Sequence, residues 1–283
     1  MTSEQLGFGG MPQRLYSAAP TRLTSYLDCP RRYRMTYLDR PTPPKGPPWA
    51  HNALGAAVHT ALAGWWRLPA QRRTPEAAGR LLEDSWLTEG FRDDEQSDRH
   101  RARAREMVER YVGDVDPEQE PVGVERVVSL RTDRAGLWGR VDRIDDRAEG
   151  LVVVDYKTGR HVLTVDDARA SLAMAVYAAA AGVTLRRTCR RVELHHLPTG
   201  EVLAWDHTAE SLERHLRRAD SLAAEVATAD AAFRAGLRQD EVDAVFPPHA
   251  GPMCGWCDFN RVCPEGRAAR AALPSWAGLA EDT

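Results

Sequence analysis

The sequence has almost no lysine. Among 38 basic residues in a chain of 283, only Lys45 and Lys157 are not arginine. The net charge of −3 excludes a protein that coats nucleic acid through overall basicity, so any such contact has to come from local clusters. Cysteine is scarce as well. There are five, an odd number, and MTSEQLGFGG carries neither a basic start nor an apolar core. Neither a secretory signal nor a disulfide framework is expected, and the cytoplasm is the expected location. Long hydrophobic runs are missing. The longest small-apolar stretch, Leu172 to Val183, falls short of the roughly 20 residues that cross a bilayer, so no membrane partner is expected. There is no P-loop, so no nucleotide-driven motor is expected in the chain, and no internal repeat or low-complexity tract is present. What is present, 43% hydrophobic and 28% charged residues, is the composition of a folded globular domain rather than of a disordered chain.

Periodicity divides the chain. Residues 1–20 read as a loose leader, and 21–270 as one domain. Helical spacing of apolar residues runs from Pro20 to Leu38, broken at Cys29-Pro30. It returns over 52–66, 75–88 and 95–113, after the linker PTPPKGPPW. Residues 21–118 are therefore a helical part. At Pro121 the period drops to two. Strands are predicted around Val122–Leu130 and Gly136–Asp145, with Asp145 and Asp146 read as turn residues. LVVVDY is a continuous apolar run typical of a central strand buried on both faces. An Ala-rich helix over 166–182 and the strands RRVELHHL and EVLAWDH complete a sheet core, 119–207. A long helix lies within 208–246, then a cysteine-bearing segment, 247–270, and a tail, 271–283. The fold class is α/β (α+β), a mixed central sheet flanked by helices.

The most informative segment is GRVDRIDDRAEGLVVVDYKTG, residues 139–159. Asp142 lies on one strand and Asp155 ends the next. Side chains two apart on a strand share a face, so Asp155 and Lys157 project together. Charges at the end of an apolar strand are costly to desolvate unless something offsets them. Two carboxylates are hard oxygen ligands suited to Mg²⁺ or Mn²⁺; an ordinary Asp–Lys pair at a surface turn is the competing reading. CGWCDFNRVC, residues 254–263, groups Cys254, Cys257 and Cys263 as C-x₂-C-x₅-C and points to metal. The fourth ligand could be Cys29, Cys189 or His249. A four-thiolate site suits Zn²⁺ or a [4Fe–4S] cluster, and spacing alone leans to zinc. Arg31, Arg32 and Arg34, interleaved with Tyr33 and Tyr37, form the best basic patch for a nucleic acid, with a solvated helix face as the alternative.

Strand–Asp, turn, strand–Asp-x-Lys resembles motifs II and III of the PD-(D/E)XK nucleases, and DYKTG is similar to RecB-family exonucleases in particular, including the CRISPR-associated RecB-like ones. LTSYLDCPRRYRMTYL resembles the Cys-Pro helix of the iron–sulfur members of that family, GAAVHTAL their metal-binding His helix, and AMAVYAAA their Q-x-x-x-Y helix. The resemblance spans residues 21 to 263 in the family's order. It implies a restriction-endonuclease-like sheet and a metal-dependent DNA exonuclease acting on single-stranded DNA in repair, recombination or defence. It makes His59, Asp142, Asp155 and the carbonyl of Tyr156 the Mg²⁺ or Mn²⁺ ligands. Lys157 becomes the catalytic lysine and Tyr177 the aromatic of the helix motif. Cys29, Cys254, Cys257 and Cys263 become the ligands of a [4Fe–4S] cluster. The residues themselves, guanidiniums for phosphates and an aromatic ring for bases, make Arg31, Arg32, Arg34 and Tyr33 the expected contacts to single-stranded DNA. One departure matters: Ala173 stands where the family has Gln. That substitution favours the alternative of a catalytically weak DNA-binding or scaffold subunit of a helicase–nuclease complex.

Overall fold

The computed structural model describes residues 15–279. Its sheet has the order β1-β3-β4-β5-β6, with β2 on the other edge of β3. The strands are β1 (Tyr16–Ala18), β2 (Gly123–Arg131), β3 (Ala135–Arg147), β4 (Gly150–Lys157), β5 (Cys189–His196) and β6 (Glu201–Asp206). β1 runs parallel to β3 and β4 parallel to β5, while the other pairs are antiparallel. The fold is thus a mixed sheet flanked by helices, of the restriction-endonuclease kind.

β4 shows why. Its alternate residues enter two separate cores. Leu151 and Val153 join one cluster, and Val152, Val154 and Tyr156 join the other. Burying each such aliphatic side chain contributes about 1.5–3 kcal/mol, so a strand apolar at every position is stable only between two layers. The first layer is α1 (Pro20–Asp28), α2 (Pro30–Tyr37), α7 (Leu172–Leu185) and α8 (Ala209–Arg234); the second is α3 (Ala50–Trp66), α4 (Pro75–Asp84) and α5 (Asp94–Gly113). Short helices α6 (Val165–Ala170), α9 (Gln239–Val245) and α10 (Pro264–Ala269) fill the connections.

Local chemistry sets the breaks. Pro30 can start a helix but not continue one, so α1 ends at Asp28 and the Cys29 sulfur caps α2 by accepting from the Arg32 N–H. The predicted helix over 166–182 is two helices. Ser171 leaves helical geometry and its hydroxyl accepts from the Met174 N–H, starting α7 afresh. Two further expectations are corrected. Tyr16–Ala18, assigned by sequence to the leader, pair with β3 at Ala135–Leu137; residues 1–14 of that leader lie outside the described residues. Asp145 and Asp146 are not turn residues. β3 continues to Arg147, and buried Asp145 is held by Arg143 and Arg147 at 2.9 Å each. Three residues are too short to show a period of two, and an acidic pair before Ala148-Glu149-Gly150 reads the same whether the strand ends there or runs on to Arg147.

Candidate metal centre and its surroundings

The end of β4 lies where α3, β2 and β3 converge. Gly55, one helical turn before His59, lets α3 approach the loop after β4; a Cβ there would come within 3.3 Å of the Thr158 hydroxyl. His59 Nδ1 then lies 3.2 Å from Asp142 Oδ1, and its Nε2 3.1 Å from the carbonyl oxygen of Tyr156. The Tyr156 N–H donates to Asp142 Oδ2 at 2.8 Å, so this carboxylate fastens β3 to β4 beyond their ladder. Lys157 Nζ sits 2.7 Å from Asp155 Oδ2, the shared face expected from strand alternation. Asp155 Oδ2 is buried and lacks a well-oriented hydrogen-bond donor.

Glu125 is the residue that sequence reasoning missed. On either side of it β2 and β3 keep one register, Val124 against Arg143 and Arg126 against Val141. Glu125 therefore falls across from Asp142, with its backbone at φ 50°. Ligand atoms of His59, Glu125 and Asp142 lie within 4.8 Å of one another. The signal was available in principle, because the hairpin turn at Asp133-Arg134 sets residue 125 opposite residue 142 once the register is known. Carboxylates facing each other across a strand pair are destabilising on their own. Arg140, 2.7 Å from Glu125, offsets part of that charge.

The electrostatics describe a site short of positive charge. Burial pushes the Asp155 carboxyl up, Lys157 pulls it back, and Asp142 pushes it up again. Burial and Asp142 raise Glu125 against the pull of Arg140. Burial alone would depress His59, but its hydrogen bond to Asp142 and the charges of Asp142, Asp155 and Glu125 raise it overall. A divalent cation answers these conditions. A buried carboxylate oxygen paired with Lys157, facing carboxylates and an imidazole form a donor set with hard-ion chemistry. The residues that would hold it are His59, Glu125, Asp142, Asp155 and the Tyr156 carbonyl. Behind them Tyr156 is fixed by its own ring, whose hydroxyl accepts from Trp66 Nε1 at 3.0 Å. On the other side Tyr177 packs its ring against Gly139, and burial, then Asp155 and Asp142, raise its phenol. Ala173 lies one turn earlier on the same half-buried face of α7.

The expected basic patch is corrected at Tyr33 and Arg31. Tyr33 is fully buried and its hydroxyl is held by Asp230 at 2.8 Å, so no base can stack on it. Arg31 is buried too, bridging Asp243 at 3.0 Å and Glu265 at 2.6 Å. Arg34 pairs with Asp39, and Arg32 with Asp28. These arginines tie the chain to itself, because each acid that neutralises them is supplied by folding or by the helix itself. Cys29, Cys254, Cys257 and Cys263 do line one small cavity. The N–H groups of Arg32 and His249 point at Cys29 Sγ, 3.4 and 3.5 Å away, and the N–H of Gly251 at Cys254 Sγ, 3.4 Å away. Cys189 is elsewhere, buried in β5, and burial pushes its thiol up to about 12. His195 and His196 are structural, bonded to Glu193 and Tyr111 and to Thr199 and Gly159 respectively.

A mixed sheet whose acidic strand ends meet a lysine and a helix-borne histidine defines a metal-dependent nuclease. The family model of the PD-(D/E)XK nuclease superfamily matches residues 17–264, and the chain belongs to that superfamily. Membership implies hydrolysis of phosphodiester bonds with a divalent metal, and DNA as substrate. No curated protein matches the chain. Among the described residues no helix is long and apolar enough to cross a membrane.

Proposed function

We propose that the chain is a Mg²⁺- or Mn²⁺-dependent DNA exonuclease of the RecB-like kind, acting on single-stranded DNA in repair, recombination or defence. The convergence of His59, Asp142, Asp155 and the Tyr156 carbonyl beside Lys157 carries the reading. A bound divalent ion supplies a water of lowered pKa and neutralises phosphate charge. Lys157 holds an ammonium at the rim of that donor set, where it stabilises the charge that builds on the phosphate oxygens. Tyr177 limits the room on the opposite side. A single strand suits the surroundings, since Trp138, four residues before Asp142 on β3, is 45% exposed and offers a ring for an unpaired base. A separate helicase chain would supply that strand. Ala173 favours the second reading, a weakly catalytic DNA-binding subunit.

The four cysteines are assigned to a [4Fe–4S] cluster with a structural role. N–H groups aimed at thiolate sulfurs are a common feature of such sites. Among the described residues no three of these sulfurs lie within 4.8 Å of one another, so the cluster assignment rests on the cysteine pattern and its likeness to the iron–sulfur members of the family, not on the sulfur positions.

The test is degradation of end-labelled single-stranded DNA by anaerobically purified protein, with iron and zinc analysed in the same sample. Cleavage should require Mg²⁺ or Mn²⁺ and fall by at least about a hundredfold in Lys157→Ala and Asp155→Ala. DNA binding without cleavage, in protein with intact fold and cluster, would replace the exonuclease by the scaffold reading. Zinc without iron would remove the cluster.

A further inference from the structure

We infer that the cavity opening beside His59, walled by α3, α5, the loop after β4 and the C-terminal segment, is the subsite for the nucleotide next to the scissile phosphate. Residues 275–279, beyond the family-matched span, build part of it. The inference rests on the nuclease reading and names where that site grips its substrate.

The cavity holds about 500 Å³, within the roughly 300–1,000 Å³ of sites that enclose a small organic group. It is continuous with the metal centre, because His59 lines both and Thr158, Gly159 and Arg160 follow directly on Lys157. Its lining divides in two. Arg103 of α5 and Arg160 of the loop bring guanidinium groups; Leu54, Met107 and Leu279 bring apolar surface. A nucleotide divides in the same way, an anionic phosphate that guanidinium grips by paired hydrogen bonds and a flat base that apolar walls cover. His51 lines the cavity too, and burial holds it below its usual pKa.

The C-terminal wall is fastened rather than draped. The Ala50 N–H donates to the Ser275 carbonyl at 3.0 Å, and the Ser275 hydroxyl to the Gly90 carbonyl at 2.7 Å. Arg160 Nη2 reaches the Ala277 carbonyl at 3.4 Å, so one residue serves both wall and lining. Gly278 lies so close against the His51 ring that no side chain fits there. Together these contacts place Leu279, 5% exposed, in the lining.

The experiment is equilibrium binding of a fluorescent short oligothymidylate to the full chain in EDTA, at several salt concentrations. Arg160→Gln and Leu279→Glu are compared with wild type, and metal-dependent cleavage is followed in parallel. Arg160→Gln should weaken binding about tenfold and reduce the slope of log affinity against log salt by about 0.7, the share of one phosphate contact on a single strand. Leu279→Glu, which sets a carboxylate facing the phosphate, should weaken binding at least as much. Unchanged affinity and salt slope in Arg160→Gln would overturn the subsite, whatever the fold of the second variant. If wild type binds through the cavity and does not cleave, the exonuclease reading falls and the cavity stands as a nucleotide-binding site alone. If it cleaves while both variants bind normally, the reverse holds, and a wild type that does neither overturns both.

Discussion

Glu125 shows how one residue changes the meaning of its neighbours. Without it, His59 and Asp142 are an imidazole–carboxylate pair of the kind that fills many interiors. With it, a second carboxylate of raised pKa faces the first, and the pair becomes a set of donors suited to a divalent cation. Glu125→Gln keeps the shape and removes one charge. The Mn²⁺ concentration for half-maximal cleavage is expected to rise about tenfold, the scale seen when a group supporting a metal site is lost. The melting temperature of metal-free protein should stay level or rise, since a cross-strand repulsion disappears. Titration of cleavage against Mn²⁺ and a metal-free melt check this; an unchanged metal requirement would make Glu125 only the partner of Arg140.

At the scale of elements, the active-site side of the sheet is held by helix α7 at small residues. Gly139 on β3 receives the Tyr177 ring so closely that a methyl group would collide with it. Placed between Trp138 and Arg140 on the strand that leads to Asp142, this contact couples the position of α7 to the metal centre. Gly139→Ala should therefore destabilise by about 1–3 kcal/mol, the usual cost of overpacking, and slow cleavage as well. A double-mutant cycle separates ring from hydroxyl. Tyr177→Ala in the Gly139→Ala background should recover stability, and Tyr177→Phe should not, because the ring remains. Denaturant melts of wild type, the three single variants and the two double variants decide it. Recovery by Tyr177→Phe would show that the clash is not with the ring.

Across the whole molecule, the two ends of the chain are stitched together by charge. Asp230, fully buried on α8, accepts from Tyr33 at 2.8 Å, Arg22 at 2.9 Å and Tyr16 at 3.0 Å. Strand β1 and helices α1 and α2 are thereby joined to a residue about 200 positions away in sequence. Arg31 repeats the device toward α9 and α10 through Asp243 and Glu265. Removing one partner of a buried pair leaves the other charge stranded, which costs about 3–5 kcal/mol. Asp230→Ala should lose stability on that scale in a denaturant melt, while cleavage per folded molecule stays unchanged. A loss below 1 kcal/mol would mean that the tyrosines and Arg22 find other partners.

Much of this was legible in the amino-acid order, for reasons of range. β4 is apolar without interruption from Leu151 to Val154, α3 and α5 carry long helical periods, and Asp155 and Lys157 must share a face two residues apart. These are properties of neighbouring residues, and backbone geometry alone determines them. Pro30 likewise ends α1 wherever the helix packs. What tertiary structure decided are the pairings between distant residues. Arginines beside Cys29 look like a nucleic-acid patch until Asp243, Glu265 and Asp39 arrive to neutralise them. Tyr33 looks free to stack until Asp230 buries it. Glu125 is one acid among 41 acidic residues until strand register sets it against Asp142. A charge carries no mark in sequence of whether folding will bring it a partner, because that depends on contacts closed over tens to hundreds of residues.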